Sequence, residues 1–411
     1  MIFLGIALLM LLYVARKGVD FFFLAASTCV VYFYPVLFLE KIVFISEGIY
    51  SIDVDNGARV SLVCGIVYLL VVGYRSRTMR WQSAGEMSAK NLRFLKIQGG
   101  LLAAVIGMLM VLIVAQNGFG LSGRDKSEVM ESLGYAYKIF SLLTSILIVL
   151  AFLLRERGLF IVAIAAVGLD LMFGFRSSLA TLIAAYFLTR PRMVGWKSVC
   201  YLLLGFACAL LMIVAKETAY FSKNAVDVLY GFAQSFDSDG LDFLSFVNPE
   251  SATISAVYNE IVKSDFSASP VYLLDSFVAL FPFTNLIGYE AIGFDTYFKG
   301  IVFGAEGNSF ASGMLSVGYG LGGYFGVALC FALIGCLGRI FNRVVERGEF
   351  LNRAIVIAVA GIMLTSFYRS DLIYLVGIVR SLVVILILLK TLGIVMRVLA
   401  MRPAPSSSAG S

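Results

Sequence analysis

The chain has 411 residues, 60% of them hydrophobic and only 14% charged, with a formal net charge of +6 and a mean hydropathy of +0.93. A soluble domain runs near 45–50% apolar and about 25% charged, so the soluble globular and disordered classes are excluded. There is no histidine, which removes imidazole as base, nucleophile or metal ligand.

In chain order, continuously apolar segments fall at 2–15, 19–39, 59–74, 97–116, 134–154, 159–175, 177–189, 198–215, 309–337, 352–368 and 372–389. Continuous rather than alternating hydrophobicity points to helices and away from a β-barrel. The expected fold is therefore an all-α polytopic membrane protein with about eleven transmembrane helices. Spans 1–8 occupy 1–215, a large loop 216–308, spans 9–11 residues 309–402, and a Pro/Ser/Gly-rich disordered tail 403–411. The first run lacks a cleavage-site pattern and reads as a first helix, not a removable signal. Cys29, Cys64, Cys200, Cys208, Cys330 and Cys336 all lie in apolar runs without CxxC spacing and read as buried structural thiols.

Charge orients the bundle. The connections after alternate spans hold 20 basic residues against 4 acidic, whereas the rest of the chain holds 12 basic and 22 acidic. By the positive-inside rule the N-terminus lies outside and the C-terminus in the cytoplasm. The basic excess is thus a topology signal, not a nucleic-acid footprint. The loop 216–308 is far longer than an ordinary connection and rich in acids and aromatics. Within it 225–236 and 251–262 read as short amphipathic helices, the second with Asn248 as N-cap. Residues 270–288 form a further apolar stretch, split by Pro282 and too short to span, which suits an interfacial or re-entrant element.

Ionisable groups near a bilayer are costly and point to function. Asp170 lies inside the sixth span. Arg176 follows in Gly174-Phe175-Arg176-Ser177-Ser178, and Arg369 and Asp371 lie in Tyr368-Arg369-Ser370-Asp371. Both Arg sites fall in tight turns at the same expected depth. Arg380 is too deep to snorkel easily, so it should either pair with an acid, for which Asp170 is the natural partner, or face a wet cavity. Guanidinium groups on an otherwise acidic outer face would attract a phosphate. Any protein base would be a carboxylate, with Glu250, Glu260, Glu306 and Asp371 as candidates. Gly318-Tyr319-Gly320-Leu321-Gly322-Gly323 contains a formal GxGxxG, but no βαβ unit surrounds it. Gly318, Gly322 and Gly326, four residues apart, read instead as a close helix-packing face.

Three stretches carry a resemblance: the Gly-Phe-Arg176-Ser-Ser hairpin, the run Gly307-Asn308-Ser309 through Gly323, and the turn Tyr368-Arg369-Ser370-Asp371-Leu372. Together with the expected topology they resemble the Wzy-type polymerases of O-antigen and related surface polysaccharides. Several members carry a Glu in the span after the Asn-Ser element; 312–316 here has none.

The resemblance implies a membrane glycosyltransferase with a GT-C-like bundle in the bacterial inner membrane, its active site facing the periplasm. It would move a growing glycan from one undecaprenyl diphosphate carrier to the next lipid-linked repeat unit. The large loop would roof the cavity, and a separate chain-length regulator would be a partner. Arg176, Arg369 and Arg380 would bind the diphosphate leaving group, and Glu250, Glu306 or Asp371 would accept the acceptor proton. Neither role needs a metal or cofactor. The competing readings are a flippase of lipid-linked oligosaccharide and an O-antigen ligase-like enzyme. The ligase is expected to use a His that this chain lacks.

Overall fold

The computed structural model describes residues 2–45, 49–76, 89–117, 126–172, 177–189, 249–279, 292–303, 311–347 and 350–381, with a few isolated positions besides. Helix dominates. The first seven helices are α1 (Ile2–Lys17), α2 (Phe21–Phe38), α3 (Asn56–Arg75), α4 (Ala89–Asn117), α5 (Lys126–Leu154), α6 (Arg157–Met172) and α7 (Ser177–Leu188). Then come α8 (Pro249–Lys263), α9 (Val271–Val278), α10 (Phe294–Phe298) with a π turn at Lys299–Phe303, α11 (Met314–Arg347) and α12 (Phe350–Arg369). A last apolar helix, α13, covers Leu372–Ser381. Among the described residues four helices are long and apolar enough to cross a membrane: Phe21–Phe38, Asn56–Arg75, Leu95–Gln116 and Met314–Glu346. The eighth expected span, the helix expected at 225–236 and the tail lie outside the described residues.

The all-α expectation needs one correction. Lys41–Ile45 (β1) and Ile49–Asp53 (β2) pair antiparallel, in register from Lys41↔Asp53 to Ile45↔Ile49. The strands are rich in β-branched and aromatic residues, which suit a pleated surface.

Helix α8 matches the sequence reading of 251–262 as a helix, and most of its length is buried in the bundle. Ser251, Ala252, Ile254, Ser255, Ala256, Val257, Tyr258, Asn259, Ile261 and Val262 are all buried, against α2, α3 and α11.

The kink in α2 explains how polar α8 residues can enter the bundle. Pro35 has no N–H, so the carbonyl of Val31 loses its helical donor; the Ser251 hydroxyl donates to that oxygen at 3.1 Å. Phe33 departs from helical geometry (φ −115, ψ 17), and the Ser255 hydroxyl donates to Tyr32 O at 3.0 Å. Further along, Tyr258 and Ser61 share a hydroxyl–hydroxyl bond of 2.6 Å. Asn259 Oδ1 accepts from Asp55 N–H at 2.7 Å, while its Nδ2 donates to Asp53 O at 3.0 Å. Arg59 satisfies the C-terminal carbonyls of α2, donating to Val36 O at 2.9 Å and Leu39 O at 2.5 Å.

The ninth expected span is a helical hairpin. At Gly322 and Gly323 the backbone leaves the helix, with Gly323 at φ 57, a left-handed conformation that glycine adopts without steric cost. The limb 314–321 then folds back on 324–347. The Cys330 thiol donates to Met314 O at 3.3 Å, although sixteen residues of straight helix would span about 24 Å. A Cβ on Gly326 would lie 1.8 Å from Gly318 O. Gly318 and Gly326 therefore do form a close-packing face, but against each other, and Gly322 belongs to the turn.

Candidate active site

Two of the candidates, Asp170 and Arg369, lie where α5, α6, α7 and α12 meet. Asp170, in the last turn of α6, is fully buried. It accepts hydrogen bonds from the Tyr137 hydroxyl of α5 and the Ser178 hydroxyl of α7, and from Ser178 N–H at 3.3 Å. The carboxylate thus occupies the N-terminus of α7, where a negative charge and an acceptor both stabilise the first turn. One turn on, the Thr181 hydroxyl lies 3.4 Å from that of Ser145. Beside it α12 approaches closely, because a Cβ on Gly361 would stand 2.7 Å from Thr181 Cα.

Arg369 ends α12, where a cation suits the helix C-terminus. It is half-buried, and its charge and that of Asp170 both act on the Tyr137 hydroxyl. The charge of Arg369 is therefore felt at the Tyr137 hydroxyl that Asp170 shares with Ser178 of the Arg176-Ser-Ser hairpin. Arg176 itself lies outside the described residues, as does Glu306. Glu250 lies in the first turn of α8, at the buried end of that helix beside Ser251, and its side chain is likewise outside the description.

Asp371 is engaged at two helix starts rather than with Arg369. Its Oδ1 accepts from Tyr374 N–H at 2.9 Å, capping α13, and its Oδ2 accepts from Phe294 N–H at 3.2 Å, capping α10. Through α10 it holds an aromatic nest in which Tyr272 and Phe266 meet Phe294 edge-on at 5.2 and 6.2 Å.

The expected Asp170–Arg380 pair is overturned. Nη1 of Arg380 donates to Ala279 O and Phe281 O, at 3.1 and 3.2 Å, satisfying carbonyls at the C-terminal end of α9. Depth allowed a partner or a wet cavity, and backbone oxygens supply the partner. Helix α9 carries Val271, Leu273, Leu274 and Phe277 exposed on one side, with Tyr272, Asp275 and Ser276 buried on the other, as an interfacial helix does.

Sequence reasoning missed three participants. Tyr137 reads as an ordinary apolar-run aromatic. The Ser251/Ser255 stitch had one legible signal, Pro35 inside an apolar run, which leaves a carbonyl in need of a donor. Tyr319, Tyr324, Asp55 and Asp265, far apart in sequence, meet only through the hairpin of α11. No known protein family, curated protein or solved structure matches the chain. The fold and the buried polar cluster define a helical, multi-pass membrane protein.

Proposed function

We propose that this chain is a metal-independent glycosyltransferase that polymerises undecaprenyl-diphosphate-linked oligosaccharide repeat units. It works on the periplasmic face of the bacterial inner membrane, with eleven spans and a cytoplasmic C-terminus. The observation that carries the reading is the convergence of Asp170, Tyr137 and Ser178 with the charge of Arg369. This unites two of the three stretches that resemble the polymerase family. In the proposed reaction Arg176 and Arg369 stabilise charge developing on the diphosphate leaving group. Asp170 pins the start of α7 two residues after Arg176. Arg380, already donating to α9 carbonyls, acts by anchoring that helix beside the site. Asp371 is engaged by two backbone donors, so Glu250 and Glu306 are the favoured acceptors of the acceptor-hydroxyl proton.

The test is the lipopolysaccharide ladder of a strain lacking the protein. A core bearing a single repeat unit is expected, and complementation with Glu250→Gln or Glu306→Gln should leave that phenotype uncorrected for the residue that is the base. Complete absence of O-antigen on the core would instead indicate a flippase or ligase and overturn the assignment.

A further inference from the structure

Away from the polar cluster, a groove of about 510 Å³ runs between α3 and the long limb of α11. Its walls are Val60, Cys64, Tyr68, Val327, Ala328 and Phe331. At one point the two walls meet through glycine: a Cβ on Gly65 would fall 2.1 Å from the Phe331 ring. Both bounding helices are long and apolar enough to cross a membrane, and Val60, Cys64 and Ala328 are exposed. The groove therefore opens sideways into hydrocarbon. An unfilled cleft there would forfeit dispersion contacts along both walls.

One end of the groove is polar and acidic. The Tyr324 hydroxyl lies over Gly57, where a Cβ would meet it at 1.9 Å and Asp55 Oδ1 at 3.0 Å. The Tyr324 ring stacks edge-on with Tyr319 at 5.2 Å, and the Tyr319 hydroxyl donates to Asp265 Oδ1 at 3.0 Å. Both carboxylates act on both phenols, and neither carboxylate has an ion-pair partner among the described residues. Asp265 sits at φ 49 at the C-terminus of α8, a position that favours glycine or asparagine.

We propose that this groove binds one acyl chain of a glycerophospholipid whose headgroup ends in an ammonium, such as phosphatidylethanolamine. Two carboxylates flanking a pair of tyrosine rings attract an ammonium by charge and through the ring faces. The same two charges repel a headgroup that presents only phosphate. On the proposed function, this repulsion leaves the prenyl diphosphate carrier to Arg176 and Arg369 and keeps it out of this cleft.

Native mass spectrometry of the detergent-purified full chain tests this, with phosphatidylethanolamine, phosphatidylglycerol of the same chains, and farnesyl diphosphate as probes. One phosphatidylethanolamine should be retained about fivefold more tightly than phosphatidylglycerol, as suits an ammonium paired at a partly wet site. Ala328→Phe fills the groove and should abolish that adduct; Val60→Phe on the opposite wall repeats the block if Ala328→Phe is not monodisperse. The double change Asp55→Asn with Asp265→Asn should bring phosphatidylethanolamine down to the phosphatidylglycerol level. Asparagine caps α3 as well as aspartate does and tolerates the left-handed position, so this variant should fold. Equal retention of the two phospholipids, displacement by farnesyl diphosphate at equal concentration, or an adduct that survives the filled groove would each overturn the proposal.

Discussion

Asp170→Ala is the most exacting test of the buried cluster. The substitution removes an acceptor that serves the Tyr137 hydroxyl, the Ser178 hydroxyl and Ser178 N–H. Ser178 N–H, in the first turn of α7, has no intrahelical acceptor, and a buried donor that loses its acceptor costs about 1–3 kcal/mol. Losing the cap of α7 adds about 1 kcal/mol. Relief from holding a desolvated carboxylate offsets part of this, which leaves a net destabilisation of about 3 kcal/mol against a total stability of about 5–15 kcal/mol. Asp170→Asn keeps one acceptor oxygen and should cost about half as much. Tyr137→Phe removes one of the donors from which Asp170 accepts, so the double variant Asp170→Ala/Tyr137→Phe should be less destabilised than the sum of the single changes, by about 1 kcal/mol or more. Reversible unfolding of the detergent-solubilised variants gives the four free energies of the cycle. Strict additivity, or an Asp170→Ala protein as stable as the parent, would refute the reasoning.

Three further outcomes are expected. Arg176→Ala and Arg369→Ala should each abolish long polymer at unchanged protein level, and Arg→Lys should restore little of it because a planar bidentate donor is lost; the ladder of the complemented strain reads this, and near-normal polymer in both Ala variants would contradict the diphosphate role. Ser251→Ala and Ser255→Ala should each lower stability by about 1 kcal/mol, and restoring the helical donor with Pro35→Ala should shrink the Ser251→Ala effect specifically; an unchanged Ser251→Ala cost in the Pro35→Ala background would count against the stitch. Burial holds the Asp20 carboxyl above its ordinary value of 3.8, although bonds from Phe23 N–H and Tyr13 O–H pull it down. The native state therefore keeps a proton that the unfolded chain releases, so this group's stability contribution is fullest below 3.8 and is lost as pH rises through the folded value. Asp20→Asn should remove this fall of Tm as pH rises above 3.8, and an unaltered slope would exclude Asp20 as its source.

What the residues alone determined was set by solvent and by chain geometry. Runs of continuous hydrophobicity correspond to α1 through α7 and α11 through α13, because a helix pairs its backbone polar groups within one segment and needs no partner strand. Residues 251–262 were legible as a helix from their spacing, and 270–288 as an apolar stretch too short to span, within which the structure forms the one-sided helix Val271–Val278. The need of Arg380 for a partner or a wet cavity followed from its depth alone. Which partner it took did not, because carbonyls freed at the end of α9 offer nothing in sequence to distinguish them from any other carbonyl. The burial of α8 was hidden for a related reason: its serines and Asn259 look solvated until the kink of α2 and the edge of the β-hairpin supply their acceptors. The glycines of α11 gave a close-packing signal without saying against what, since equal spacing serves a neighbouring helix or the same chain folded back at Gly323. Tertiary structure alone decided these points, because hydrogen-bond partners and packing faces depend on which segments meet in space, whereas the hydrophobic pattern constrains only what each segment must do by itself.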